Sequence, residues 1–451
     1  MTQTAELTDM RGGRRSSRAA LRAIPGSDSH AELVALLRDA TGFLHDRFAR
    51  HGRVWRTRFV FPVVFLIGEE ANKSILVTRR HELSFGRGYA QTPVKRVFDG
   101  SIMLQDGDAH DRMRDILSPA VGKLALHDSV AAIDRIWSLA VERAAGLPRV
   151  DAYGLTERAT FDVAANVLTG LALGDETEEM RPLFERLVGG IMAPLPLRVP
   201  FGRLDRSLRA RKTIAARLAV RVAEARARPP AGLVGQLAHH RDEGGAHLPI
   251  DEIVGHLLLL FWAGYDTTAS AASWVLRELA QRPEWQARLR DEIQRVAQDD
   301  PGAVEDPRAL PMLNAFLFEI ERMYPSALFF PRIAEVDIAF EAHVIPKGTP
   351  VFYSPYLSHR DPALYEHPNA FDPERWSEAR GDRRAVVGKL VGFGGGPRVC
   401  LGKTFAKLQL KLMVRALLRA HFVELDPTAH ATTTNLPVHH PHGLALRVRR
   451  S

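Results

Sequence analysis

The chain of 451 residues contains a single cysteine, Cys400. One cysteine excludes an intramolecular disulfide framework, multi-cysteine zinc sites and cysteine-ligated iron–sulfur clusters. It fits a reducing compartment, so a cytoplasmic location is expected. Long apolar runs are also missing. The longest, Ile253 to Gly264, falls far short of the roughly 18–20 residues that span a bilayer, so no membrane anchor is expected. There is no internal repeat and no low-complexity linker. The charge is +8, from 61 Lys+Arg against 53 Asp+Glu, yet no basic run with interleaved aromatics marks a nucleic-acid surface. The histidines at 439, 440 and 442 flank Pro441 without an acid or cysteine nearby to complete a metal site.

What is present is ordinary for a globular chain, 45% hydrophobic and 25% charged, and the length suffices for a large core without staples. The first residues carry Arg11, Arg14, Arg15, Arg18 and Arg22 but lack the apolar stretch of a secretory signal, and Glu6 and Asp9 argue against a transit peptide. The reading is a basic disordered tail over 1–30 and one domain over 31–451. Helical patterns cover Ser29 to His51, most of Asp106 to Gln281 with a break at Pro194, Pro196 and Pro200, Asn314 to Tyr324, and Gly402 to His421. Arg53 to Gly68, broken at Pro62, reads as a hairpin. Val336–Phe340 and Val344–Ser354 read as strands, the second folded by the turn Ile345-Pro346-Lys347-Gly348. Ser354 to Gly396 is irregular, and loops of that length are uncommon unless functional. The fold class is mainly α with minor β.

One helix stands out. Pro249-Ile250-Asp251-Glu252 opens it with acids suited to the N-terminal dipole, and Pro283 ends it. It is apolar on nearly every side, His256 excepted, which predicts burial all round. Within it lies Ala263-Gly264-Tyr265-Asp266-Thr267-Thr268. An acid and two hydroxyls in a core helix are costly unless paired. Either both threonines back-bond to carbonyls four residues earlier and Asp266 meets a basic partner, or acid and alcohol relay protons to a ligand lying across the helix. Gly264 leaves room for a close approach to the backbone. Further on, Glu319 and Arg322 are spaced to pair on one helix face. Arg375, in Phe371-Asp372-Pro373-Glu374-Arg375-Trp376, could add a second guanidinium and pin that segment to the helix.

Cys400 lies in Val391-Gly-Phe-Gly-Gly-Gly-Pro-Arg-Val-Cys400-Leu-Gly402. The glycines allow tight turns and close approach to a flat ligand, and the helix that follows would stabilise a thiolate at its N-terminus. A buried small hydrophobe is the plainer reading of a lone cysteine. Two rival motifs overlap this segment, the end of a phosphate loop at Gly402-Lys403-Thr404 and the start of a dinucleotide fingerprint at Gly392-Phe-Gly394. Pro397 stands where each needs glycine, and both fail.

Taken together these segments resemble the cytochrome P450 family, the haem-thiolate monooxygenases. Phe393-x-x-Gly396-x-Arg398-x-Cys400-x-Gly402 is similar to its cysteine loop, Ala263-Gly264-x-Asp266-Thr267-Thr268 to its oxygen-activation helix, and Glu319-x-x-Arg322 with Arg375 to its core triad. Pro331-Arg332, His359-Arg360-Asp361-Pro362 and Asp106-Gly-Asp-Ala-His110-x-x-x-Arg114 follow in family order, and the likeness runs from about Ala31 to the C-terminus. The resemblance implies a haem b between the central helix and the cysteine-loop helix, with Cys400 as axial ligand to the iron and Phe393 and Gly402 beside it. It implies that His110, Arg114, Arg332 and Arg398 hold the propionates, with Arg112 as the alternative to Arg114. Asp266 and Thr267 would deliver protons for dioxygen activation. Peroxide-using relatives lack that pair, so an electron-driven enzyme is implied.

By the same resemblance, electrons pass from NAD(P)H through a separate acidic ferredoxin or flavodoxin with its reductase. Lys403, Lys407, Lys411 and Arg415 repeat every four residues and form either a docking stripe or merely a solvated helix face. The pocket would draw on Phe261, Ala263, Gly264, Leu328, Phe329, Phe330, Leu436 and Val438, implying a hydrophobic substrate. Met103–His110 and the Pro346-Lys-Gly hairpin look like the eukaryote-like bacterial branch, hence a terpenoid, steroid or retinoid-like molecule. Alternatives are a peroxygenase or non-oxidative haem-thiolate enzyme and, in another class, a haem electron carrier or gas sensor. A monomer is expected.

Overall fold

The computed structural model describes residues 17–90, 92–193, 197–306, 308–377, 380 and 389–451, without the side chains of 123 and 124. Glu6, Asp9, Arg11, Arg14, Arg15, Pro194 and Pro196 lie outside the described residues. The folded body begins earlier than position 31. Residues 17–23 are helical, and Ile24 is fully buried among Val54, Val64 and Leu66. Arg56 fixes this stretch, its Nε donating to Ile24 O at 2.9 Å and its backbone N–H to Pro25 O at 2.8 Å. The density of arginines up to Arg22 had concealed one well-placed apolar anchor.

The helix expected from Ser29 to His51 is two, Ala31–Arg38 and Ala40–His51. Asp39 between them is extended, and its carboxylate caps the second helix by accepting from Gly42 N at 2.9 Å. The expected hairpin forms from Val54–Arg58 and Pro62–Leu66, with Val54 opposite Leu66. It starts a five-stranded sheet that continues through Pro350–Tyr353, Phe330–Ala334 and Leu83–Ser84. Phe330–Ala334 was not expected as a strand, because a proline inside a short run argues against one. The stretch Val344–Ser354 divides at the turn. His343–Ile345 pairs with Ile338–Phe340, while Pro350–Tyr353 joins the large sheet, and Gly348 takes φ 83° between them.

Val150–Asp151, Ala445–Arg450 and His421–Leu425 form a three-stranded sheet, Thr432–Thr434 pairs with His440–His442 as a C-terminal hairpin, and most of the remaining elements are helices. Ile250–Gln281, 32 residues long, runs through the core and packs on Ala152–Thr169 and Arg203–Arg226. Its apolar residues face neighbours on every side, as their all-round distribution predicted. Lys403–Leu418 is the last helix. The fold is mainly helical with minor sheets. Among the described residues no single helix is long and apolar enough to cross a membrane.

Candidate functional site

The loop before Cys400 is a compact turn. Cys400 N–H donates to Phe393 O at 2.8 Å, and Gly394 N–H to Val391 O at 2.9 Å. Gly394 and Gly396 have φ of 72° and 59°, which favours glycine at both. A Cβ on Gly396 would lie 2.1 Å from Leu76 O, and one on Gly392 would lie 2.6 Å from Glu321 Cγ. Gly396 thus packs on the π-helical turn Ser74–Thr78 and Gly392 on Glu321, while Gly392, Gly394 and Gly402 also line a cavity. Lys403–Leu418 begins directly after Gly402, whose N–H faces the Cys400 sulfur. Burial pushes the Cys400 thiol up, while the Gly402 N–H and the charges of Arg114 and Lys403 pull it down. Although deep among protein atoms, the cysteine opens onto a cavity.

Two buried polar groups fix the frame behind this loop. His359 donates from Nδ1 to Arg322 O at 3.1 Å and accepts at Nε2 from Val391 N–H at 2.9 Å, so one tautomer ties the loop to the helix Pro311–Met323. Burial and the Arg322 charge depress its pKa to about 3. On that helix Glu319 accepts from Arg322 Nε at 2.8 Å and Nη2 at 2.6 Å, with both side chains fully buried. Arg375 Nε stands 3.8 Å from the same carboxylate. Trp376 Nε1 at 2.9 Å and Asp372 N at 2.8 Å complete its shell. The expected pinning of the 371–376 segment is thus formed, with a tryptophan as the tighter second donor. Arg322 also donates to the carbonyls of His359, Pro368 and Ala370 at 2.5 to 3.0 Å.

The cavity has a volume of about 1200 Å³. That exceeds the roughly 300–1,000 Å³ of ordinary small-molecule sites and leaves room for two occupants. Its lining includes Cys400, Phe393, Gly402, His110, Arg114, Arg332 and Arg398. Arg332 is 2% exposed, donates to Pro331 O at 2.8 Å, and lies over the rings of Phe85 and Tyr353. Arg398 lies over the same Phe85 ring and pairs with Asp106 at 2.7 Å. His110 contacts Asp111 at 2.9 Å. Arg112 turns outward to Glu252 at 3.1 Å, so of the two candidates Arg114 faces the cavity. Among the described residues neither Arg114 nor Arg332 has a carboxylate within ion-pair distance. Burial pushes both guanidiniums down, as expected of cations that lack a matching anion. A thiol and converging guanidiniums beside an apolar space suit a flat group that carries a metal ion and carboxylates.

The central helix supplies another wall through Ala263, Gly264, Thr267 and Thr268. Thr267 Oγ1 donates to Ala263 O at 2.6 Å, the back-bond expected of it. Thr268 Oγ1 has no hydrogen-bond partner among the described residues. Asp266 is not part of the cavity wall. In place of the expected basic partner it accepts from two neutral donors, Tyr153 Oη at 2.8 Å and Trp262 Nε1 at 3.0 Å. Burial pushes its pKa up and the two donors pull it down. Trp262, one turn earlier, was within reach of a periodicity argument. Tyr153, 113 residues away, left no signal.

Of the apolar residues expected in the pocket, Phe329, Phe330, Leu436 and Val438 line it. Phe261 does not; it is fully buried, stacked on Phe184 with ring centroids 3.9 Å apart. Leu328 packs instead in the cluster of Trp55, Phe65 and Leu357. Gly264 faces the cavity, and the nearest atom to a Cβ there would be Leu168 Cδ1 at 3.0 Å. The basic stripe is not one continuous surface: Lys403 and Lys407 are part-exposed and lie over the Phe393 ring. Lys411 and Arg415 are buried, Lys411 donating to Val304 O at 3.1 Å and Arg415 pairing with Asp134 at 2.6 Å. Lys407 reaches Glu321 at 3.8 Å and lies over the Phe318 ring. His439 is buried beside Trp274, while His440 stacks on Tyr153 at 3.6 Å, so these histidines serve packing of the C-terminal hairpin.

Comparison with known proteins agrees with this geometry. The family model for cytochrome P450 matches residues 36–446. The putative cytochrome P450 120 of Synechocystis is 30% identical over 392 residues, covering 85% of this chain and 87% of the relative. Human cytochrome P450 26C1 is 28% identical over 451 residues, covering 91% and 84%. The structure of retinoic acid-bound cyanobacterial CYP120A1 superposes with a TM-score of 0.86 at 27% identity, covering 95% of this chain and 99% of that one. With a match over nearly its whole length and a thiol and guanidiniums converging on one cavity, the chain belongs to the cytochrome P450 family of haem-thiolate monooxygenases.

Proposed function

We propose that this monooxygenase acts on an apolar isoprenoid-type small molecule (a retinoid, steroid or other terpenoid) and that Cys400 is the thiolate ligand of its haem b. The chain has no other cysteine to serve. Bound there, haem supplies the dioxygen and one-electron chemistry that no side chain provides. Arg332, Arg398, Arg114 and His110 bind the propionates, relieving buried cationic charge, and the Gly402 N–H shares the thiolate's electron density. Thr267 holds a hydroxyl at the cavity wall, and Asp266 behind it supplies protons for dioxygen activation. Electrons reach the site from a redox partner, here an acidic ferredoxin or flavodoxin attracted by the net charge of +8 and reduced by NAD(P)H.

The observation that carries the substrate reading is the apolar part of the cavity lining, which includes Ile102, Met103, Leu260, Phe329, Leu436 and Val438. Burying such walls against an apolar ligand gains about 25 cal/mol per Å² of apolar area removed from water. Among relatives, one structure carries retinoic acid, and pentalenene oxygenase of Streptomyces avermitilis is 32% identical over 219 residues. The test is optical titration of the holoenzyme with all-trans-retinoic acid, a steroid and a sesquiterpene, followed by turnover under ¹⁸O₂. A substrate-induced shift of the haem absorption and one labelled oxygen in the product support the reading. Response only to small hydrophilic compounds would overturn it.

A further inference from the structure

The Asp266 carboxyl is buried, yet both its partners are neutral. They differ in what they can do with a proton. Trp262 Nε1–H is a donor only, so Oδ2 is held as an acceptor. When Asp266 is protonated, its proton therefore sits on Oδ1, 2.8 Å from the Tyr153 hydroxyl. A hydroxyl both donates and accepts, so Tyr153 serves the carboxylate as a donor and the acid as an acceptor. Tyr153 belongs to Ala152–Thr169 and is only partly buried, whereas Asp266 has no outlet of its own. One turn along the same helix face stands Glu157, also partly buried.

We propose that Tyr153 is the positioning residue through which Asp266 is supplied with protons, along the seam between the Ala152–Thr169 and Ile250–Gln281 helices. The proposal rests on the reading of Asp266 as the proton-delivering acid. In the transfer, the Tyr153 O–H bond breaks as an O–H bond forms on Asp266 Oδ1. Tyr153 Oη takes its replacement proton from the Glu157 carboxyl, which solvent recharges, and no electron moves. The groups facing the seam fit this direction. Burial, with Asp266 and Glu185 near, pushes Glu157 up to about 7, so it holds a transferable proton near neutrality. Tyr153 is pushed well up by burial and by Asp266, and stays a hydroxyl. Arg181 is engaged with Asp162 at 2.8 Å, Tyr265 is buried and pushed up, Asp151 is exposed and caps Gly154 N, and His440 stacks on the Tyr153 ring with its own pKa lowered by burial. Among the described residues no cation pairs with Asp266.

The experiment uses holoenzyme reduced through a surrogate ferredoxin and its reductase, following dioxygen consumption against pH in H₂O and D₂O. The carboxyl infrared band of Asp266 is recorded in the resting protein. Tyr153→Phe keeps the ring on His440 and removes the hydroxyl. It is expected to shift the Asp266 band, slow dioxygen consumption by about tenfold and enlarge the solvent isotope effect, with the carbon monoxide spectrum unchanged. In the parent the rate falls as pH rises through about 7, where Glu157 loses its proton, and Glu157→Gln is expected to remove that fall. Asp266→Asn separates the two claims. If it matches the parent in rate and isotope effect, the assignment of Asp266 as the acid fails. If it is impaired while Tyr153→Phe and Glu157→Gln both match the parent, the Tyr153 route alone fails. Should Tyr153→Phe not fold, a Glu157→Gln pH profile identical to the parent's overturns the proposal.

Discussion

Glu319→Gln isolates the buried carboxylate that holds the frame behind the cysteine loop. Glu319 and Arg322 are both fully buried, and the carboxylate accepts from Arg322 twice, from Trp376 and from Asp372 N. Glutamine removes the charge and turns one acceptor into a donor that faces N–H groups. Breaking a buried pair from one side costs about 3–5 kcal/mol, because the other charge is left unneutralised. Arg322 keeps three carbonyl acceptors, which partly solvate it and put the cost at the lower end, about 3 kcal/mol. An internal control lies in the same segment. Glu374 pairs with Arg288 at 2.5 Å with both side chains more than 40% exposed, so Glu374→Gln is expected to cost under about 1 kcal/mol. The assay is urea unfolding of both holoenzyme variants by circular dichroism, converted with a common m value. A Glu319→Gln cost no larger than that of Glu374→Gln would refute the reasoning, showing that the carbonyls alone satisfy Arg322.

Gly396→Ala places a methyl 2.1 Å from Leu76 O at a φ of 59°, so the variant is expected to lose haem retention during purification; full haem content would contradict the packing account of the loop. Arg415→Met should lower stability by about 3 kcal/mol through the stranded Asp134 carboxylate, while leaving the apparent affinity for a ferredoxin unchanged. A weakened ferredoxin interaction with intact stability would restore the docking stripe. His439 is depressed by burial to about 3, against an ordinary 6.5. Below pH 6.5 the unfolded chain therefore binds a proton that the folded chain refuses, and stability falls as pH drops toward 3. This group contributes about 1.4 kcal/mol per pH unit in that window. His439→Phe should flatten the unfolding profile between pH 6.5 and 4.5 by that slope, and profiles parallel to the parent's would contradict the assignment.

How far the sequence led depended on whether a feature is local. The cysteine loop, the Glu319–Arg322 pair and the central helix were legible because their residues are neighbours in sequence and their conformations are forced by glycine, proline and helical spacing. Tyr153 was not legible, since only tertiary packing brings it to Asp266. The same limit governs the basic residues after Cys400. Spacing of four put Lys407, Lys411 and Arg415 on one face, but whether that face meets solvent depends on Asp134, Val304 and Ala297 from distant segments. Phe261 failed for another reason. A helix apolar on every side gives no amphipathic cue, so nothing local separates the side toward the cavity from the side toward Phe184. The turn glycines before Cys400 were legible because φ constraints are local, whereas the contact of Gly396 with Leu76 comes from a distant segment and was not.

The central claim is that Cys400 is the thiolate ligand of a haem in this cavity. The direct measurement is the carbon monoxide difference spectrum of the dithionite-reduced protein beside Cys400→Ala. The account predicts a strongly red-shifted thiolate Soret band in the parent and none in the variant. A histidine-like or thiol-like band in well-folded parent protein, or the parent's band surviving in Cys400→Ala, would contradict it.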